Sequence, residues 1–224
     1  MTGHRPPPAV RRPTAPTPYP GTHTMTSDAT DFDATEPDAT NVGAAPAPAA
    51  ARLRVLAEAR RPDPGSADPD LAGPPPPLPG FAASGFNPLV ADTADRCLRA
   101  HHGAPPAPGR TALLLASAGG DRATARAIDR SAEPGRRPAP LLFFQSNPNA
   151  VLGHIAARWG LTGPVVAISP AHAVPGQVPA DALDLAALLL ADGDADRVLV
   201  IAAEPGDDEP GEAAGHAVAV LVTG

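Results

Sequence analysis

The stretch SNPNAVLGHIAARWGLTGPVVAIS, residues 146–169, passes from a helical to a strand-like pattern, and its reading decides the fold. Asn147-Pro148 is a helix start, because Asn caps exposed amides and Pro suits the first helical position. Val151, Leu152, Ile155, Ala156 and Trp159 then recur on one helical face, and Gly160 fits the position just past the last turn. Val165 to Ile168 follows as a continuous apolar run, expected to be a short buried strand.

Upstream, Leu141 to Phe144 reads as a strand. Before it, the apolar run Ala112 to Ala116, a Gly119-Gly120 turn and a helix from Asp121 to Ser131, with Ala123, Ala127 and Ile128 inward, give strand then helix. Leu89, Val90, Ala94, Cys97 and Leu98 predict a helix over Asn87–Ala100, with Asn87 as N-cap and Pro88 at N1, ending before Gly103. Leu53, Val55 and Ala57 alternate with Arg52, Arg54 and Glu58 as a first half-buried strand. Downstream, Pro179 to Asp192 is apolar almost all round, the pattern of a helix buried on both sides. Arg197 to Ala202 and Ala217 to Val222 flank the acidic loop EPGDDEPGEAAGH as neighbouring strands. The alternation predicts an α/β domain with a sheet that is mostly parallel inside.

Composition sets the limits of that domain. Of 224 residues, 32 are Pro and 21 Gly, and eighteen of the prolines lie in residues 1–80. Residues 1–48, which include the near-repeat DATDFDATEPDAT, hold too few large apolar side chains to offset their ordering entropy and are expected to be a disordered tail. Met25 within it would serve equally as a start, and residues 49–224 are expected to form the single domain. The net charge is −7 and every basic residue apart from histidine is Arg, with no basic cluster, which argues against nucleic acid as a partner. One cysteine, Cys97, excludes a disulfide framework and any multi-cysteine metal site; on its helix it reads as a small apolar residue. The start has no apolar segment of signal-peptide length and no run approaches a bilayer span, so the expectation is a cytoplasmic protein with no membrane partner.

Residues 146–204 resemble the amino-terminal half of the β-ketoacyl synthases, the condensing enzymes of fatty-acid and polyketide synthesis, which have the thiolase fold. Asn149-Ala150, Gly153-His154-Ile155-Ala156, Trp159-Gly160-Leu161 and Gly163-Pro164 are similar to the family's helix before its third strand. Val166-Ala167-Ile168-Ser169 is similar to the strand leading into the nucleophile. Asp192-Gly193-Asp194-Ala195-Asp196 and Val198-Leu199-Val200 up to Ala203-Glu204 are similar to its Gly-x-x-Asp turn and the strand ending in Ala-Glu, and GEAAGHAVAVLV resembles a later strand. The resemblance implies an α/β, thiolase-like half domain, a mixed, mostly parallel five-stranded sheet with helices on both faces, and acyl thioesters as the chemical context, with no cofactor.

The departures from the family carry as much information. Its cysteine nucleophile sits on a sharp turn where a helix dipole favours thiolate. Here the register places Ser169-Pro170-Ala171-His172 there, so His172 stands in the cysteine's position, and Pro175 and Pro179 interrupt the opening of the next helix. The family's second half, which supplies two histidines, is not encoded before Gly224. The resemblance therefore implies a non-condensing accessory subunit with His172 inactive, pairing as a homodimer or with a full-length ketosynthase, with acyl carrier protein as a further partner. The alternative is an acyltransferase or thioesterase acting through His172. The remaining candidates read structurally. His154 is a structural or surface histidine, and His101-His102 are adjacent side chains that diverge rather than ligate a metal. Ser117-Ala118-Gly119-Gly120 is a tight strand-to-helix turn without phosphate-loop spacing, and the acidic run from Glu204 to Glu212 is a solvated loop rather than a calcium site.

Overall fold

The computed structural model describes residues 52–63, 65–67, 71, 73–137, 139–206 and 215–224. The expected tail over 1–48 and most of the acidic loop lie outside the described residues. In chain order the elements are β1 (Arg54–Arg61), α1 (Phe86–His102), β2 (Thr111–Ala116), α2 (Arg122–Ser131), α3 (Pro140–Gln145), α4 (Pro148–Trp159), β3 (Val165–Ile168), α5 (Ala180–Ala191), β4 (Arg197–Glu204) and β5 (His216–Thr223).

The five strands form one sheet in the order β1-β5-β4-β2-β3. β2 pairs in parallel with both β3 and β4, whereas β5 runs antiparallel to β4 and to β1. Four strands thus point one way and β5 alone opposes them, which is the expected mixed, mostly parallel sheet.

Alternation along the strands makes two apolar layers. Leu113, Leu115, Leu199, Ile201 and Leu221 face α1 and α4, where Leu98, Val151, Leu152 and Trp159 are fully buried. Leu114, Val198, Val200, Val218 and Val222 face α5 through Ala182 and Ala186. Each such side chain contributes about 1.5–3 kcal/mol of burial free energy, so both layers stabilise the sheet. Cys97 sits in the first layer, and desolvation pushes its thiol up to about 12. Iodoacetamide should therefore label Cys97 in guanidinium but leave the folded chain unmodified; rapid native labelling would contradict this packing.

Asp95 ties α1 to α4. Burial opposes its charge, but hydrogen bonds from Arg99 Nε (2.7 Å), Trp159 Nε1 (3.0 Å) and Arg158 Nε (2.8 Å) outweigh that and hold its carboxyl below the usual range. The tie is therefore fully present above the ordinary carboxylate pKa and is lost only as pH falls below it.

Several expectations change. Leu141–Phe144 is not a strand but lies in α3: Pro140 sits in its first turn and Ser146 Oγ donates to Phe143 O at 2.8 Å, while β3 occupies the sheet position beside β2. α1 begins before Asn87, with Gly85 as its N-cap, because Ser84 Oγ takes the Phe86 amide at 2.9 Å. β3 is a half-exposed edge strand rather than a buried one. In β1 a register shift between Val55 and Ala57 turns Val55 outward and brings both Leu56 and Ala57 against the core. On α2 only Thr124 is buried, and Ala123, Ala127 and Ile128 are half-buried.

The helix expected to be buried on both sides, α5, is buried on one. Ala182, Ala186 and Ala187 face inward, Leu183, Leu185, Leu189 and Leu190 are half-buried, and Leu188 is exposed between Asp184 and Asp192 on an outer ridge.

Candidate functional site

The carboxyl ends of β2, β3 and β4 meet at one edge of the sheet, where open α/β folds place their chemistry. The loop leaving β3 starts at exposed Ser169 and buried Pro170 and passes through exposed His172. Ala173 to Gln177 then share a narrow crevice with Ala116, Ala202, Glu204 and His216, so the loop lies across the ends of β2 and β4 and the start of β5. At its far side Arg60 Nη1, from β1, donates to Gly176 O at 2.6 Å. Buried Pro179 ends the loop as the N-cap of α5.

This path explains why His172 has no assigned chemistry. Eight positions separate it from Ala180, the first residue of α5, so the imidazole does not sit on the helix end. It makes no hydrogen bond or ion pair with any described residue. A histidine base needs an orienting partner within reach, and none of the described residues supplies one. The α5 amino terminus is already occupied: Asp181 Oδ1 accepts from Ala182 N at 2.9 Å and Oδ2 from Ala171 N at 3.3 Å. A carboxylate in that place repels the thiolate or oxyanion that such a helix end would otherwise favour.

A second carboxylate fills the neighbouring turn. Glu204, at the end of β4, accepts from Ala118 N at 2.7 Å and Gly119 N at 2.8 Å. A Cβ on Gly119 would lie 2.9 Å from Glu204 Oε2, Arg122 Nη2 and Pro205 Cδ, so only glycine allows this approach. Ser117 Oγ accepts the Gly120 amide at 2.9 Å, and Asp121 caps α2 through Thr124 N at 3.0 Å. The turn is thus a strand-to-helix junction sealed by the protein's own acid. Glu204 is engaged here, and the rest of the acidic run considered for calcium, residues 207–212, lies outside the described residues.

Beside the turn, a cavity of about 230 Å3 is lined by Phe86, Asn87, Leu115, Ala167, Ile168 and Ser169. Asn87 is buried and donates from Nδ2 to Asp121 Oδ2 at 2.7 Å, joining the start of α1 to the cap of α2. His154 is half-buried on α4 with its ring edge-on to Phe81, centroids 6.3 Å apart, which is a packing role. His101 and His102 do not diverge as expected: their rings pack edge to face at 4.5 Å, and burial, then the neighbouring charges of His101 and Arg197, hold His102 below its ordinary pKa. Among the described residues, no three His, Cys, Asp or Glu side chains gather around a common metal position.

The roles of Asp181, Glu204 and Arg60 were not evident in the sequence. Glu204 stood at the end of a recognised strand, which marked its place, but its two amide partners lie some 85 positions earlier.

No family model matches the chain and no curated protein is similar to it in sequence. Solved structures are similar in fold. A chain in the structure of a ketosynthase in complex with its chain length factor from Xenorhabdus doucetiae superposes with a TM-score of 0.53 at 18% identity, over 76% of this chain and 78% of that one. The nearly equal shares mean that the two chains are of similar length. The ishigamide ketosynthase/chain length factor gives 0.51 at 21% identity, over 66% of this chain and 46% of the other. The ketosynthase from module 1 of the bacillaene synthase of Bacillus amyloliquefaciens FZB42 gives 0.50 at 14%, over 76% and 42%. The chain spans less than half the length of these last two. Its fold is the thiolase-like, β-ketoacyl-synthase-type fold.

Proposed function

We propose that this chain is a non-condensing accessory subunit that pairs with a full-length ketosynthase in fatty-acid or polyketide biosynthesis. The observation that carries the reading is the state of the loop between β3 and α5. Where a condensing enzyme needs a nucleophile on an anion-favouring turn, this chain has a solvent-facing His172 without partners among the described residues and a helix start taken by Asp181. The likeness to a ketosynthase in complex with its chain length factor, over a chain of similar length, supports pairing as the role. The alternative of a homodimer draws on the edge strand β3 and exposed Leu188, and an acyltransferase or thioesterase through His172 has no group among the described residues to orient the imidazole. Acyl carrier protein is the further partner proposed with it.

Incubation of the purified chain with an acyl thioester, read by intact mass, should show no acyl adduct, and His172→Ala should leave thioester hydrolysis at background. An adduct on the wild type that vanishes with His172→Ala, the fold being intact, would replace this reading with the enzymatic one. His172→Cys should add an alkylatable thiol but yield no β-ketoacyl product, because the Asp181 carboxylate hydrogen-bonded to the adjacent Ala171 amide disfavours a thiolate there. Formation of that product by the variant alone would contradict the account.

A further inference from the structure

The proline run PPPPLP, residues 74–79, alternates between exposure and burial with the period of a polyproline II helix. Proline fixes its own φ and keeps the residue before it extended, so this run has little choice but that conformation, which repeats about every three residues. Pro75, Leu78 and Phe81 are half-buried, and Leu78 and Phe81 pack against the core, whereas Pro74, Pro76, Pro77 and Pro79 are exposed. The exposed rows form a ridge. It is anchored at both ends, because Arg61 Nη2 donates to Gly73 O at 3.2 Å and Pro74 O at 2.9 Å, and Phe81 N donates to Leu78 O at 3.0 Å. A partner that reads such a preorganised ridge loses little entropy in ordering it.

Furrows border the ridge, and their chemistry selects what can enter. One, of about 210 Å3, lies between Pro76, Pro77 and Pro79 and the surface of α1 and α4 at Ala91, His154 and Arg158. A second, open furrow of about 680 Å3 separates Pro77 from residues 80–85. Arg158 is half-exposed, and its Nε is fixed on Asp95 Oδ1 at 2.8 Å, so a flat, oriented guanidinium is offered to an aromatic face. The carbonyls of Pro75, Pro76, Pro77 and Pro79 accept from no described residue, and from Pro74 to Pro79 only Leu78 carries an amide N–H. The ridge therefore calls for donors and offers almost none. Tyrosine and tryptophan combine a large apolar face with one such donor. A second copy does not present them among its described residues: Trp159, the one tryptophan, is fully buried, and Tyr19, the one tyrosine, lies outside the described residues.

We infer that the 74–79 ridge is a docking surface for a different protein, one whose groove is lined by tyrosine and tryptophan side chains that enter the furrow beside Arg158 and donate to the proline carbonyls. The ridge involves neither the β3–α5 loop nor the edge of β3, so the inference stands apart from the proposed pairing with a ketosynthase.

The test titrates N-acetyl-tryptophanamide and N-acetyl-tyrosinamide into the full chain, followed by NMR, with N-acetyl-leucinamide as the apolar control. Both aromatic amides should bind saturably and shift the side-chain signals of Arg158 and His154, and the leucine amide should bind about tenfold more weakly. Pro76→Ala with Pro77→Ala should weaken aromatic binding about tenfold at unchanged melting temperature, and Arg158→Gln should weaken it as well. Absence of saturable aromatic binding, equal binding of the leucine amide, or aromatic binding untouched by both variants would overturn the inference. Self-association of the wild type that the proline double variant abolishes would overturn it too, by assigning the ridge to a second copy.

Discussion

Gly163→Ala is expected to lower stability by about 3 kcal/mol or more and to send most of the expressed chain into the insoluble fraction. A Cβ on Gly163 would lie 2.6 Å from the backbone of Thr111 and Ala112, a contact that no side-chain rotation relieves. The crossing is fixed from both sides: Gly163 N donates to Thr111 O at 3.2 Å and Leu113 N to Pro164 O at 2.8 Å. Relieving the clash means separating the segment that leads into β3 from the start of β2, at the root of the parallel part of the sheet. Denaturant unfolding of any soluble fraction gives the value, and a melting curve matching wild type would show that the two backbones do not approach this closely.

Asp92→Ala is expected to cost about 3–5 kcal/mol, because it removes the carboxylate half of a buried ion pair. Arg61 is 4% exposed, at the end of β1; its Nη1 donates to Asp92 Oδ2 at 2.6 Å and its Nη2 to Gly73 O at 3.2 Å and Pro74 O at 2.9 Å. One side chain thereby holds β1, α1 and the proline-rich segment together. Replacing the pair jointly by Arg61→Met and Asp92→Leu should cost less than Asp92→Ala alone, since neither charge is then taken out of water. Equal losses in the two variants would mean that packing, not charge, accounts for the effect.

These two sites show what could and could not be read along the chain. Gly163-Pro164 stood out in the sequence as part of a motif, and the structure gives it a physical cause in the approach of two backbones. The Arg61–Asp92 pair left no local signal, because its members are 31 positions apart and each looks like a surface charge. The strands were legible wherever burial on both faces makes a continuous apolar run, as in β2, β4 and β5, and α4 was legible from its Asn-Pro start to its Gly160 stop.

Leu141–Phe144 failed because a short apolar run has no period of its own. Strand and exposed helix look alike there until the neighbouring sheet position is known to be filled. On α5, the apolar count overstated burial, since alanines and half-buried leucines face the sheet and its edges while Asp184 and Asp192 mark the outer ridge. At the site, the sequence offered only the expectation that His172 stands in the cysteine's place. The two carboxylates that occupy the surrounding amides were not visible, because hydrogen bonds from Glu204 to the β2–α2 turn depend on β2 and β4 being neighbours.

The central claim is that the chain contributes to a condensing system without doing the chemistry. The most direct measurement is β-ketoacyl product formation, read by mass spectrometry, by a full-length ketosynthase of the same organism with carrier-bound substrates, alone and in complex with this chain. The account predicts that the complex changes the yield or chain length of the product, that His172→Ala in this chain leaves that effect intact, and that removing the ketosynthase's own nucleophile abolishes product altogether. Product that persists without the ketosynthase's nucleophile and disappears with His172→Ala would contradict it.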